Sequence, residues 1–190
     1  TSDIYLKEMV AAYCTFPNKG VKVDPVMVTR IEDKYGNVIS EFRGKEKEVI
    51  KEKTAYLMLN LLEGVVKHGT GVRLRYKYLL NNAIGGKTGT TQNHSDGWFM
   101  GVTPDLVSGV WVGAEDRAIH FQTIRLGQGA NMALPIWAIY MKKVYADKTI
   151  NLSQREFDSP QGIKLNIDCG GEKPKEKKVK ETEEEEDNFY

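Results

Sequence analysis

Gly85-Gly86-Lys87-Thr88-Gly89-Thr90-Thr91 is the stretch that decides how this 190-residue chain is read. Two structures compete for a run of this kind. A phosphate-binding loop needs G-x-x-x-x-G-K-[ST] between a strand and a helix. Here Asn81 stands where the first glycine belongs, and Thr88 is followed by turn residues and a second apolar run in place of a helix. Read as a strand, the period of two puts Lys87 and Gly89 on one face and Thr88 and Thr90 on the other. The glycines fall where something must come close to the backbone. An ammonium, two hydroxyls and unpaired edge N–H groups together suit a carboxylate and a carbonyl to be polarised, the needs of acyl transfer, and the alternative for the bare tripeptide is an exposed polar strand.

Outward from this stretch, residues 82–91, 97–103 and 106–113 are strand-like, the last two separated only by Pro104 and Asp105, so an antiparallel sheet is expected. Upstream, Thr54 opens a helix whose stripe is Leu57, Leu61 and Val65 beside Met58, Leu62 and Val66. It stops at His68-Gly69-Thr70-Gly71, with a glycine in the left-handed position after the helix and His68 in a structural role. Ser2 or Asp3 caps an earlier helix with Leu6, Met9, Val10 and Tyr13 on its apolar face, ended by Pro17 and Gly20. Residues 25–31 and 38–42 form an exposed hairpin around Asp33-Lys34-Tyr35-Gly36-Asn37. Downstream, residues 127–131 lead into a helix started by Pro135, with Ile136, Ile139, Tyr140 and Val144 towards the sheet and Lys142 and Lys143 towards water. The fold class is α/β in the broad sense (α+β), an antiparallel sheet covered by helices.

With 41% hydrophobic and 28% charged residues and a formal net charge of +1, the chain has an ordinary globular composition and no global field to recruit nucleic acid or an anionic membrane. Cys14 and Cys169 lack any metal-ligand spacing and leave one disulfide or two thiols open. The longest uncharged run, which includes residues 127–141, is shorter than the roughly 20 residues of a membrane span. From Lys173 a lysine-rich run and then an acidic one offer almost nothing to bury. Residues 1–165 are therefore expected to form the folded portion and residues 166–190 a disordered charged tail.

Gly86-Lys87-Thr88-Gly89-Thr90-Thr91, then Asp96-Gly97-Trp98-Phe99-Met100-Gly101-Val102-Thr103-Pro104, then Val110-Trp111-Val112-Gly113 together resemble the penicillin-binding transpeptidase family, which carries a K-T-G motif. The likeness extends to residues 5–20, 63–71, 133–137 and 159–163, and is strongest to the bifunctional class A members. It implies a five-stranded antiparallel sheet between helical layers, with the K-T-G strand at the edge of the active-site cleft. It also implies a serine that attacks the D-Ala-D-Ala bond of a peptidoglycan stem peptide and passes the acyl group to a neighbouring stem's amine. Penicillins and other β-lactam antibiotics would acylate the same serine. By the same resemblance Lys87 completes the hydrogen-bond network of the catalytic hydroxyls. Thr88 and Thr90 bind the terminal carboxylate, and the Thr90 N–H is an oxyanion donor. Gly89 keeps the strand bare, and Thr91 is a further binding candidate. Asp96, Trp98 and Trp111 read as structural. No cofactor and no metal is implied. The resemblance sets the domain in the cell envelope, outside a cytoplasmic membrane to which an upstream segment anchors it, with a glycosyltransferase domain also upstream.

The family's other two motifs, Ser-x-x-Lys and Ser-x-Asn, do not occur: Ser2, Ser40, Ser95, Ser108, Ser153 and Ser159 are each followed by residues that fit neither. Both precede K-T-G in the family, so the nucleophile is expected upstream of Thr1, and the chain is expected to be an N-terminally truncated portion that forms no acyl-enzyme alone. A serine β-lactamase or D,D-carboxypeptidase and a non-catalytic penicillin-recognition module are the alternatives.

Overall fold

The computed structural model describes residues 3–163. Its elements in chain order are α1 (Leu6–Cys14), β1 (Val21–Val23), β2 (Arg30–Glu32), β3 (Val38–Glu41), β4 (Glu46–Glu48), α2 (Glu52–Lys67), α3 (Arg73–Tyr76), β5 (Gly85–Thr90), β6 (Gly97–Val102), β7 (Val107–Val112), α4 (Ile124–Gly127) and α5 (Gly129–Ala146). The central sheet is antiparallel in the order β5-β6-β7, and β1-β4 and β2-β3 are separate two-stranded ribbons. The described residues thus supply three of the five strands that the resemblance implied. The expected tail, and with it Cys169 of the considered disulfide, lies outside the described residues.

Register sorts the sheet's two faces. Gly86, Thr88 and Thr90 lie opposite Gly101, Phe99 and Gly97, which in turn oppose Ser108, Val110 and Val112. This face carries α5. Phe99 meets Trp137 edge-on with ring centroids 5.1 Å apart, and the Trp137 Nε1–H donates to Ser108 Oγ at 2.8 Å. A Cβ on Gly101 would sit 2.1 Å from the Trp137 ring, so glycine is what admits the indole. On the opposite face Met100 and Gly109 receive Leu6 of α1. There Leu59, Leu62 and Val102 form a second cluster with Tyr13, Phe16, Val107 and Phe157.

Both helix stripes are turned from the sequence reading, of which Leu62, Val66 and Val144 are buried as expected. In α2 the buried positions are Ala55, Leu59, Leu62, Glu63 and Val66, while Leu57, Met58 and Leu61 are exposed. In α5 they include Ala130, Ala133, Leu134, Trp137, Ala138, Met141 and Val144, while Ile136, Ile139 and Tyr140 face out. Small residues are the reason: the alanines let each helix lie close to its neighbours, and a count of large aliphatics alone selects the wrong stripe. Pro135 lies inside α5, which starts two turns earlier at Gly129. α2 starts at Glu52, before Thr54, and neither Gly69 nor Gly71 adopts positive φ. The first helix is capped at Tyr5, whose N–H donates to Glu8 Oε2 at 3.1 Å, in place of Ser2 or Asp3. The hairpin of β2 and β3 is present and exposed.

Gly101→Ala is expected to cost about 3 kcal/mol because the Trp137 ring is fully buried and has nowhere to retreat, whereas Ile139→Ala stays within about 0.5 kcal/mol. Urea midpoints of the two variants that coincide would contradict this packing.

Candidate active site

β5 is an edge strand, and its ladder to β6 leaves alternate residues unsatisfied. Thr91 N–H donates inward to Asp96 O at 3.1 Å. Antiparallel pairing alternates bonded and non-bonded positions, so the backbone groups of Gly89 and Lys87 also point to β6, and those of Thr90, Thr88 and Gly86 point out to the edge. α2 covers the first part of that edge: a Cβ on Gly85 would lie 2.9 Å from Leu62 Cβ, and one on Gly86 would lie 3.2 Å from Val66 Cγ2. The part from Lys87 onward is left to an open groove of about 1220 Å³.

The groove runs between α1 and the sheet. Lys87, Thr88, Gly89, Thr90 and Thr91 form one rim, and Leu6, Met9 and Tyr13 of α1 face Trp98, Met100 and Trp111 of the sheet across it. As the period of two requires, Lys87 and Gly89 share the groove face of the sheet with Met100 and Trp98. Lys87 Nζ donates to the outward carbonyl of Thr88 at 2.8 Å. The phosphate-loop alternative fails here, because Lys87–Thr90 is extended and leads into a turn and β6.

The threonine hydroxyls are already oriented by protein partners. Thr90 Oγ1 accepts from Gly129 N–H at 3.0 Å, satisfying one of the unpaired N–H groups that begin α5 and leaving the Thr90 O–H free to donate. Gly129 can approach because it is glycine: its Cβ would fall 2.3 Å from Gly89 O. Thr88 Oγ1 lies 2.8 Å from Thr70 Oγ1. Thr91 is different, since its hydroxyl contacts Ser95 Oγ at 3.0 Å, donates to Asp96 Oδ2 at 3.1 Å and accepts from Asp96 N–H at 2.9 Å. That hydroxyl is spent on the turn that ends the strand.

Asp96 is the hub of this turn. Its other oxygen accepts from Trp111 Nε1–H at 3.0 Å, and Ser95 Oγ donates to Oδ2 at 3.2 Å. The structural reading of Asp96 and Trp111 is therefore met in the geometry, and Trp111, with its ring centroid 6.5 Å from that of Trp98, is also held as a wall of the groove. Ahead of β5, Arg75 Nη1 donates to the carbonyls of Leu80 and Asn82, both at 2.6 Å, tying down the connection that delivers the strand. Burial pulls the Arg75 guanidinium below its usual value, and the Glu63 charge opposes that pull.

Thr70 and Gly129 were missed in the sequence. Gly69-Thr70-Gly71 reads as a helix stop, and Gly129 as a lead into a helix. Only the packing of α2 and α5 brings both to β5.

Residues 6–115 match the family model described as the penicillin binding protein transpeptidase domain. The chain belongs to this family. It is 33% identical to penicillin-binding protein 1A of Aquifex aeolicus over 171 residues, 88% of this chain and 22% of that protein. To penicillin-binding protein 1A of Clostridium acetobutylicum it is 34% identical over 156 residues, 82% of this chain and 18% of that protein. The crystal structure of penicillin-binding protein 1A from Haemophilus influenzae matches with a TM-score of 0.72 at 24% identity, covering 83% of this chain and 28% of that one. The imipenem acyl-enzyme complex of penicillin-binding protein A from Mycobacterium tuberculosis matches at 0.56 and 18% identity, covering 75% and 32%. These two likenesses concern the transpeptidase fold. The chain spans about a fifth of the length of the curated relatives it matches.

Removing the hub of the turn tests its role. Asp96→Ala is expected to lower stability by about 2–3 kcal/mol, because Trp111 Nε1–H and the two hydroxyls lose their acceptor, with a shift in tryptophan emission. Ser95→Ala should cost less than about 1 kcal/mol. Equal losses in denaturant titration would remove Asp96 from the centre of the network.

Proposed function

We propose that this chain forms the K-T-G side of a peptidoglycan D,D-transpeptidase that cross-links stem peptides through a serine acyl-enzyme and is acylated by penicillins. The observation that carries the reading is the uncovered edge of β5, where outward backbone groups, a lysine and two pre-oriented threonine hydroxyls border one open groove. A D-Ala-D-Ala terminus lying along that edge would place its carboxylate at the Thr88 and Thr90 hydroxyls, which are neutral donors beside the Lys87 charge. The Thr90 N–H points outward, where a carbonyl oxygen gains charge as the serine attacks. Gly89 keeps side-chain bulk away from the substrate backbone. Thr91 contributes by fixing the end of the strand.

The nucleophile belongs to a segment outside these 190 residues. The size and lining of the groove support that: about 1220 Å³ exceeds the roughly 300–1,000 Å³ of a small-ligand pocket. Its walls of Leu6, Met9, Trp98, Met100 and Trp111 suit a packed apolar segment, with Lys87 at the rim to meet the serine and its base. The reaction is then ordered. The serine Oγ forms an ester with the penultimate D-Ala carbonyl, its proton passes through the Lys87-linked hydroxyl network to the departing D-alanine amine, and a second stem's amine displaces the serine. The membrane anchor, the glycosyltransferase partner domain and the extracytoplasmic location expected of class A relatives belong to the same proposal. No helix among the described residues is long and apolar enough to cross a membrane.

The test is intact mass after incubation with a fluorescent penicillin. The 190-residue chain should gain no covalent adduct. The longer polypeptide that includes Ser-x-x-Lys should gain one, and Lys87→Ala should slow that acylation by about 10²–10³-fold. Stoichiometric labelling of the short chain, or an unchanged rate in Lys87→Ala, would contradict the proposal.

A further inference from the structure

Among the groups around β5, Thr70 is a hydroxyl partner of Thr88 that lies outside the Lys-Thr-Gly strand. Thr70 sits between Gly69 and Gly71, and both glycine N–H groups donate to the same acceptor, Val65 O, at 3.0 Å. A Cβ on Gly69 would come within 3.0 Å of Val65 Cα, and one on Gly71 within 3.2 Å of Val65 O, so the loop is pressed onto the last turn of α2. That turn is in turn seated on the strand, since the fully buried Val66 packs where Gly86 has no side chain. Gly86 and Thr88 share one face of β5. The 2.8 Å separation of the two hydroxyls is therefore set by backbone packing, although Thr70 itself is exposed.

We propose that Thr70 is a positioning residue that orients the carboxylate-binding hydroxyl of Thr88. The inference rests on the transpeptidase reading above. A threonine hydroxyl has one proton and rotates freely. Either hydroxyl can donate across the 2.8 Å contact; the proposed arrangement is the one in which Thr70 donates, so that the Thr88 proton is left for a second acceptor at the rim of the groove, which Thr88 borders and Thr70 does not. Gly129 N–H does the same for Thr90 from the other side. Two donors are thus aimed at one anion before it arrives, and the cost of ordering them is met by the fold.

The experiment uses the longer polypeptide that carries the serine and measures second-order acylation rates with benzylpenicillin, a free carboxylic acid, and with its methyl ester. Thr70→Val is expected to slow the acid by about 10-fold and leave the ester unchanged, as loss of a charge-directed donor would. Thr70→Ser should restore the acid rate. Thr70→Val/Thr88→Val should be no slower than Thr88→Val alone, because both act through one hydroxyl. If Thr88→Val slows the acid and Thr70→Val does not, or if Thr70→Val slows acid and ester alike, the positioning role is overturned while the carboxylate site stands. If Thr88→Val leaves the acid rate unchanged, the carboxylate reading itself falls, and the role of Thr70 with it.

Discussion

An antiparallel ladder satisfies only every second residue of its outermost strand, and the candidate site is built on that remainder. Gly86, Thr88 and Thr90 turn their N–H and C=O groups away from β6. Such a row normally invites another strand, and folded proteins cover or blunt it. Here α2 closes the row at Gly85 and Gly86 and stops, so the unsatisfied groups that remain coincide with the groove rim. The extended backbone is held at both ends: Arg75 grips the carbonyls of Leu80 and Asn82 before it, and the Thr91–Asp96 turn closes behind it. Hydrogen-bonding capacity kept unpaired at one place requires rigidity on either side.

Glycine supplies much of that rigidity by allowing contact, not by allowing unusual dihedrals. Gly101 admits the Trp137 indole and Gly129 comes down on the β5–β6 ladder beside Gly89. The consequence is that α5 is a structural support for the edge of β5 that borders the groove as well as a cover for the core. Its first N–H reaches Thr90, and its Trp137 fills the space beneath Phe99. Arg73 adds a tie from α3 to the same helix start by donating to Asn131 Oδ1.

The strands of the central sheet were legible because they are short strand-like runs bounded by clear turn residues, Pro104 and Asp105 most plainly. So was the division of Lys87 and Gly89 from Thr88 and Thr90, which follows from the pleat alone. The helix faces were not. Leu57, Leu61, Ile136 and Ile139 have the right character and spacing for a core stripe, yet Ala55, Ala133 and Ala138 mark the buried faces because close approach outweighs side-chain bulk there. Thr70 and Gly129 were illegible for another reason. Their importance arises from contacts across 18 and 39 residues of sequence, and no local pattern encodes such distances.

The most direct measurement is a crystal structure of the longer, serine-bearing polypeptide acylated by a penicillin. The account predicts the antibiotic's carboxylate within hydrogen-bond distance of the Thr88 and Thr90 hydroxyls, and its ester carbonyl oxygen at the Thr90 N–H. An acyl group whose carboxylate points away from β5, with that edge empty or paired to another strand, would contradict it.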